Sequence, residues 1–150
     1  MINISFKLSK RIALPCLVIF LGMTVMLFFA GTDKGVSGEN DKERRQYIVS
    51  LGYTPSELPC ETEQVVIPED FSDVYEKYNA IQYEAGYDLK DYRSRSVVRY
   101  SYFLEDYDPK QYVVANLLVF EGKIIGGDIS SRRLDGFMLP LVSKDNGQIG

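Results

Sequence analysis

Residues Ile12 to Ala30 form an unbroken run of 19 residues without a charge. As a helix such a run spans roughly 28 Å, close to the ~30 Å hydrocarbon core of a bilayer. Pro15 falls in its first turn, where a missing N–H costs little. The run therefore reads as a single transmembrane anchor. The alternative is a signal peptide, which would leave the remainder secreted. Cleavage after Ala30 would place Phe28 three positions before the bond, a poor fit to the small residue such a site wants. Lys7, Lys10 and Arg11 precede the run closely, and only Lys34 lies within ten residues after it. That asymmetry places the N-terminus inside and the C-terminal domain outside the cell membrane.

The division is then residues 1–30 as membrane anchor, 31–40 as a glycine-containing linker and 41–150 as one extracytoplasmic domain. Residues 31–150 hold 14 basic and all 21 acidic residues, a net charge of −7. An acidic domain lacks the basic face that tracks phosphates, so nucleic acid is not an expected partner. The chain has no histidine. That excludes Ser-His-Asp and Cys-His catalysis and His-ligated zinc. Outside the apolar run only Cys60 remains, so the domain has no internal disulfide and must be held by its core.

Asn40 and Glu43 have capping-box spacing for a helix over about 41–51, stopped at Gly52. Gln64–Ile67 reads as a strand. Phe71, Val74, Tyr75, Tyr78, Ile81, Gln82 and Ala85 follow helical periodicity, with Asp70 and Asp73 together capping the start and Gly86 as stop. Three strands follow, over 96–106, 111–120 and 123–130. The middle one is apolar on both faces and should be central. Glu121-Gly122 suits a two-residue hairpin turn. Residues 134–141 read as a short cover. The fold class is α+β: a helix-strand-helix unit packed on a three- to four-stranded antiparallel sheet. A four-residue turn at 107–110 pairs Tyr102 with Ala115. A regular hairpin at 121–122 would then pair Ala115 with Asp128 and place Asp128 on the face of Tyr100 and Tyr102. The glycine pair Gly126-Gly127 should let another element approach the backbone closely.

Several short segments recur in a familiar order. They are Tyr78-Asn79 with Gln82, Gly86-Tyr87-Asp88-Leu89, Arg99-Tyr100 with Tyr102, Asn116 to Val119, Ile125 to Asp128, and Leu134 to Met138. Together they make the stretch from about 40 to 141 resemble the family known as domain of unknown function 4830. The resemblance implies a small protein of Gram-positive anaerobes with an N-terminal membrane segment, and a glycine where Ser94 stands. It implies no activity.

Arg93, Arg95 and Arg99 form a basic row in this acidic domain. Arg95 and Arg99, with Asn116 from the next strand, are the candidate ligand-binding residues, since an arginine fork suits a carboxylate or other anion. The alternative is a surface row paired with nearby acids. Asn79 and Gln82 sit beside apolar neighbours, where amides commonly satisfy backbone groups. The acidic turns around Asp88–Asp91 and Glu105–Asp108 lack EF-hand spacing, so no metal site is expected. No catalytic residue and no cofactor is assigned. The expected function is a membrane-tethered, non-enzymatic module that binds a protein or envelope component. The alternatives are a carboxylate enzyme acting on an envelope polymer, with Asp88 and Asp128 as acid and base, and a small-ligand or ion sensor.

Overall fold

A computed structural model describes residues 35–147. The expected anchor over 12–30 lies outside the described residues. Among the described residues no helix is long and apolar enough to cross a membrane.

The elements run β1 (Val36–Ser37), α1 (Asp41–Ser50), β2 (Glu61–Val66), α2 (Asp73–Glu84), β3 (Ser96–Phe103), β4 (Val113–Phe120), β5 (Lys123–Ser131), β6 (Met138–Pro140) and α3 (Lys144–Gly147). The fold is α+β with one antiparallel sheet in the order β1-β5-β4-β3-β2, and β6 also pairs with β5. The sheet thus has six strands, not the three or four expected. Three short pieces account for the difference. Val36–Ser37, within the stretch read as a linker, pairs with Ile124 and Lys123. β2, the strand between the two helices, joins the sheet edge instead of packing on it. Residues 138–140, expected as a cover, form a strand on β5. Val36–Ser37 and Met138–Pro140 gain ladder hydrogen bonds that no side-chain period announces, whereas β2 includes residues already expected as a strand.

The helix caps follow the expected chemistry in part. Asn40 accepts from Glu43 N at 3.0 Å, while the Glu43 carboxylate reaches back to Glu39 N at 3.1 Å. Gly52 and Gly86 both take positive φ, 88° and 84°, and end their helices. The cap of α2 is Ser72 rather than either neighbouring aspartate, its hydroxyl accepting from Tyr75 N. The buried stripe of α2 is Tyr75, Tyr78, Asn79 and Gln82. Val74, expected in it, is 78% exposed. At 100° per residue Val74 lies roughly 80° from the centre of that stripe, so its apolar side chain faces out.

β4 lies between β3 and β5, as its two apolar faces require. One face packs with α1 around Ile48, Tyr102, Ala115, Leu117 and Ile129; the other packs Leu118, Ile125 and Val97 with Leu89 and Ile67. Tyr102 pairs with Ala115 as the turn length predicts. Glu121 (φ 47°) and Gly122 (φ 76°) close a two-residue turn with Phe120 opposite Lys123, the left-handed pair that matches strand twist. The register beyond it differs from expectation. Leu118 pairs with Gly126 and Val119 with Ile124, so Ile125 is an extra residue and Asp128 lies opposite Asn116, not Ala115. One inserted residue moves every later side chain of β5 to the other face.

The glycines explain why α2 can sit where it does. β1 covers the outer edge of β5 at 123–124 and β6 covers it at 128–130. Between them Gln82 of α2 supplies the acceptor, taking Gly127 N–H at 2.7 Å. A Cβ at Gly126 would stand 2.8 Å from Gln82 Oε1, and one at Gly127 would stand 2.2 Å from the Asn116 carbonyl oxygen. The close approach expected at this pair is therefore made by the amide of α2. Asn79 does the same for the turn after the helix, accepting Leu89 N–H at 2.9 Å.

Candidate functional site

The face of the sheet that meets α2 is not wholly apolar. Ser101 of β3, Asn116 of β4, and Asp128 and Ser130 of β5 stand side by side in its centre, all buried. Each polar group has a partner, as burial demands. Ser101 Oγ donates to Asn116 Oδ1 at 2.6 Å. Asn116 Nδ2 donates to Asp128 Oδ1 at 2.8 Å and to Ser130 Oγ at 3.0 Å. Tyr78 of α2 donates its hydroxyl to Asp128 Oδ2 at 3.1 Å. Both oxygens of the carboxylate are thus held.

Burial raises the Asp128 carboxyl above its ordinary value, against the hydrogen bonds from Asn116, Ser130 and Tyr78 and the nearby charge of Arg99. Burial, reinforced by the Asp128 charge, pushes the Tyr78 phenol well up. Both groups are thus displaced in the same direction, toward the uncharged form.

This ladder forms part of a cavity of about 250 Å³, whose lining also includes Glu61, Arg99, Arg132 and Met138. Arg99 pairs with Glu63 at 2.5 Å and with Glu61 at 3.8 Å. Arg132 pairs with Glu61. The two cations are thus matched by carboxylates, and the cavity carries no excess positive charge. Arg99 Nε is buried without a hydrogen-bond partner.

The fold brings Arg99 and Asn116 into one cavity but leaves Arg95 out of it. Arg95 precedes β3, is exposed, and contributes its backbone to Tyr92 and Ile67. Arg93 stands over the Phe71 ring at 5.2 Å. Asp88 is likewise elsewhere. It caps the 3₁₀ turn over Leu89–Tyr92, accepting from Lys90 N, Asn79 Nδ2 and Tyr83 Oη. Burial acts to raise its carboxyl, but those hydrogen bonds outweigh it and hold it below the ordinary range. The acidic turn at 105–108 is also structural in part: Asp106 accepts from Thr54 and pairs with Lys144, and Asp108 accepts from Lys110 N. Among the described residues no three acidic or cysteine side chains are grouped to hold a metal. Cys60 is a free thiol beside the Ser101 carbonyl.

Tyr78, Ser130, Glu61 and Arg132 were not assigned to a site from sequence. The alternation Asp128, Ser130, Arg132 along an otherwise apolar segment is the signal that could have found three polar residues on one side. Glu61 could not be found this way, because its pairing depends on the register of β2.

An acidic α+β domain with a polar ladder buried between its sheet and a covering helix is what fold and cavity define. The chain belongs to the family described as Domain of unknown function (DUF4830), which it matches over residues 47–129. The match takes in the cavity residues Glu61, Tyr78, Arg99, Asn116 and Asp128 and ends before Ser130 and Arg132. No curated protein and no solved structure matches the chain. Ser94, where the resemblance implies a glycine, takes φ 58°, the left-handed region that glycine occupies without cost.

Proposed function

We propose that this protein is a non-enzymatic binding module, tethered to the cell membrane by residues 12–30 with its domain outside, and that it receives an uncharged polar group of an envelope component in the cavity between β2, β4 and β5. The observation that carries the reading is the matched charge of the cavity. Arg99 and Arg132 already face Glu61 and Glu63, so a free anion gains little, whereas hydroxyl or amide groups can exchange hydrogen bonds with the Arg132 guanidinium and the mouth of the ladder. The tether rests on the length of the apolar run and the basic residues before it.

A carboxylate enzyme is the second reading, because Glu61 and Asp128 both line the same cavity. It ranks lower because both Asp128 oxygens are occupied by Asn116 and Tyr78, and a general acid must reach its substrate.

Titration of the chain with neutral and with carboxylated envelope saccharide fragments, followed by amide NMR shifts, tests the reading. Neutral fragments should shift Arg99, Asn116 and Ser130, and Arg132→Gln should weaken them roughly tenfold while leaving melting nearly unchanged, since exposed pairs contribute about 0–1 kcal/mol. Preference for carboxylated fragments, or no shift at the cavity, would refute it. Turnover abolished by Asp128→Asn would establish the enzyme instead. Retention in the membrane fraction after a high-salt wash, with the domain open to protease from outside, tests the tether.

A further inference from the structure

A second concavity of about 360 Å³ lies at the end of the sheet where β3 passes into β4. It is lined by three aromatic residues, Phe103, Tyr107 and Tyr112, and by Glu105 and Asp108, whose carboxylate also accepts from Lys110 N. Its chemistry is unlike that of the polar cavity. Aromatic faces carry negative charge density and attract cations, and flanking carboxylates add to that attraction. One ring already holds a cation of this chain, the Arg132 guanidinium standing 6.0 Å from the Phe103 centroid. Among the described residues the Glu105 side chain has no hydrogen-bond or ion-pair partner.

Tyr112 is the second, independent sign. It takes φ 49° and is 57% exposed. A bulky side chain is strained in the left-handed region, which Gly or Asn would occupy more readily. Little packing offsets that strain, because most of the ring faces solvent. Its backbone ends the 3₁₀ turn Pro109–Gln111, donating to the Pro109 carbonyl at 3.3 Å, and accepts Arg132 N–H at 3.1 Å, and a glycine or asparagine could do both without the strain. Strain held at an exposed aromatic residue in a concavity is the kind that a binding role accounts for.

The apolar surface does not stop at the concavity. Tyr107 meets Phe137 at 6.2 Å between centroids, and Leu134 on the same loop is fully exposed. A small amine would leave this extension unused. An anionic lipid surface would be repelled by Glu105, Asp108 and the net charge of −7 over residues 31–150.

We propose that this aromatic and acidic concavity is a docking site for a polypeptide segment that carries a lysine or arginine beside apolar side chains, the basic group entering among Phe103, Tyr107 and Tyr112 and the apolar ones lying toward Phe137. The site is separate from the polar cavity and does not depend on the reading given for it.

The test uses the 150-residue chain in a nonionic detergent and a fluorescent nonapeptide of alternating lysine and leucine, read by anisotropy. The same peptide with glutamate in place of lysine is the charge control. Tyr112→Asn should lower affinity roughly tenfold and at the same time leave melting unchanged or raise it, because asparagine relieves the backbone. Glu105→Gln, at an exposed unpaired side chain, should lower affinity about threefold and steepen no loss of fold. Equal binding of the glutamate peptide, unchanged affinity in both variants, or no binding of the lysine peptide would overturn the proposal. Competition by tetramethylammonium as effective as that of unlabelled peptide would also overturn it, in favour of a free organic cation. Capture by anionic vesicles without peptide binding would do the same in favour of a membrane surface.

Discussion

The two faces of the sheet differ in kind although the same strands build both. Under α1 the face is apolar at its centre, where Ala115, Leu117 and Ile129 pack with Ile48, and the Tyr102 hydroxyl at its margin donates to Asp41 and accepts from Arg44 Nε. Arg44 also stands over the Tyr100 ring at 3.7 Å and donates to the Gly38 carbonyl at 2.9 Å, which ties the entering chain to the sheet. Under α2 the apolar packing is interrupted by Ser101, Asn116, Asp128 and Ser130. The first face gains stability from area removed from water, without direction. The second gains less per residue, because buried polar groups only recover what desolvation costs them. What it gains is direction: Asn116 can meet Asp128 only in the observed register, so the ladder favours the bulge at Ile125 over the regular hairpin. An apolar pair in the same place would tolerate either.

Truncation should expose this difference most strongly on the apolar face. Leu117→Ala, at a side chain with no exposure, should cost about 2–5 kcal/mol in urea unfolding through lost transfer energy and the cavity left behind. A cost under about 1 kcal/mol would mean that this face is loosely packed and the comparison fails.

Asn116→Ala should cost about 1–3 kcal/mol, because it strips a donor from the buried Asp128 carboxylate and leaves that charge to Tyr78 and its surroundings. The loss should grow with pH, since an ionised carboxylate suffers more from the missing donor than a protonated one. Urea unfolding across a pH series measures both.

Asp128→Asn should change stability by less than about 1 kcal/mol near pH 4, since it keeps shape and hydrogen-bonding capacity. The sign of its pH dependence follows from the raised native carboxyl. The folded state binds the Asp128 proton more readily than the unfolded state, whose value is near the ordinary 3.8. The stabilisation is present in full below 3.8 and is lost as pH rises through the native value. The asparagine variant lacks this loss, so its stability relative to the parent should increase from pH 4 toward neutrality. A parent that loses no stability over that range relative to the variant would show that Asp128 is ionised there without cost.

The smallest effect is expected outside both faces. Ser94→Gly should be neutral or stabilising by up to about 1 kcal/mol. It removes left-handed strain but also adds unfolded-state freedom and removes the hydroxyl bond to Glu69. A loss above about 1 kcal/mol in thermal melting would show that the Glu69 contact outweighs the strain.

Much of the scaffold was legible before folding. The stripe of α2, the stops at Gly52 and Gly86, the turn at Glu121-Gly122 and the central place of β4 each rest on interactions within a few residues or on a period the side chains display. Arg99 and Asn116 were also legible as a candidate pair, because two neighbouring strands with a short turn bring them to one face. Tyr78, Glu61 and Arg132 were not. Each comes from a different element, and their meeting depends on the packing of α2, the pairing of β2 and the bulge in β5. The arginine row is divided for the same reason: Arg95 stays outside the cavity, and Glu61 and Glu63 arrive beside Arg99 from β2.

What the sequence alone determined is therefore local: which segments are helical or extended, where they stop, and that the net charge is acidic. Those outcomes depend on backbone propensity and side-chain period, which act over a turn or a strand. The tertiary structure alone decided which face Asp128 occupies. One extra residue at Ile125 costs little locally, and Gly126 and Gly127 permit it, so the choice fell to distant groups. Gln82 capping the Gly127 N–H and Asn116 meeting Asp128 are contacts across 45 and 12 residues of chain. No short-range pattern encodes them, because their free energy exists only once the sheet and helix are packed together.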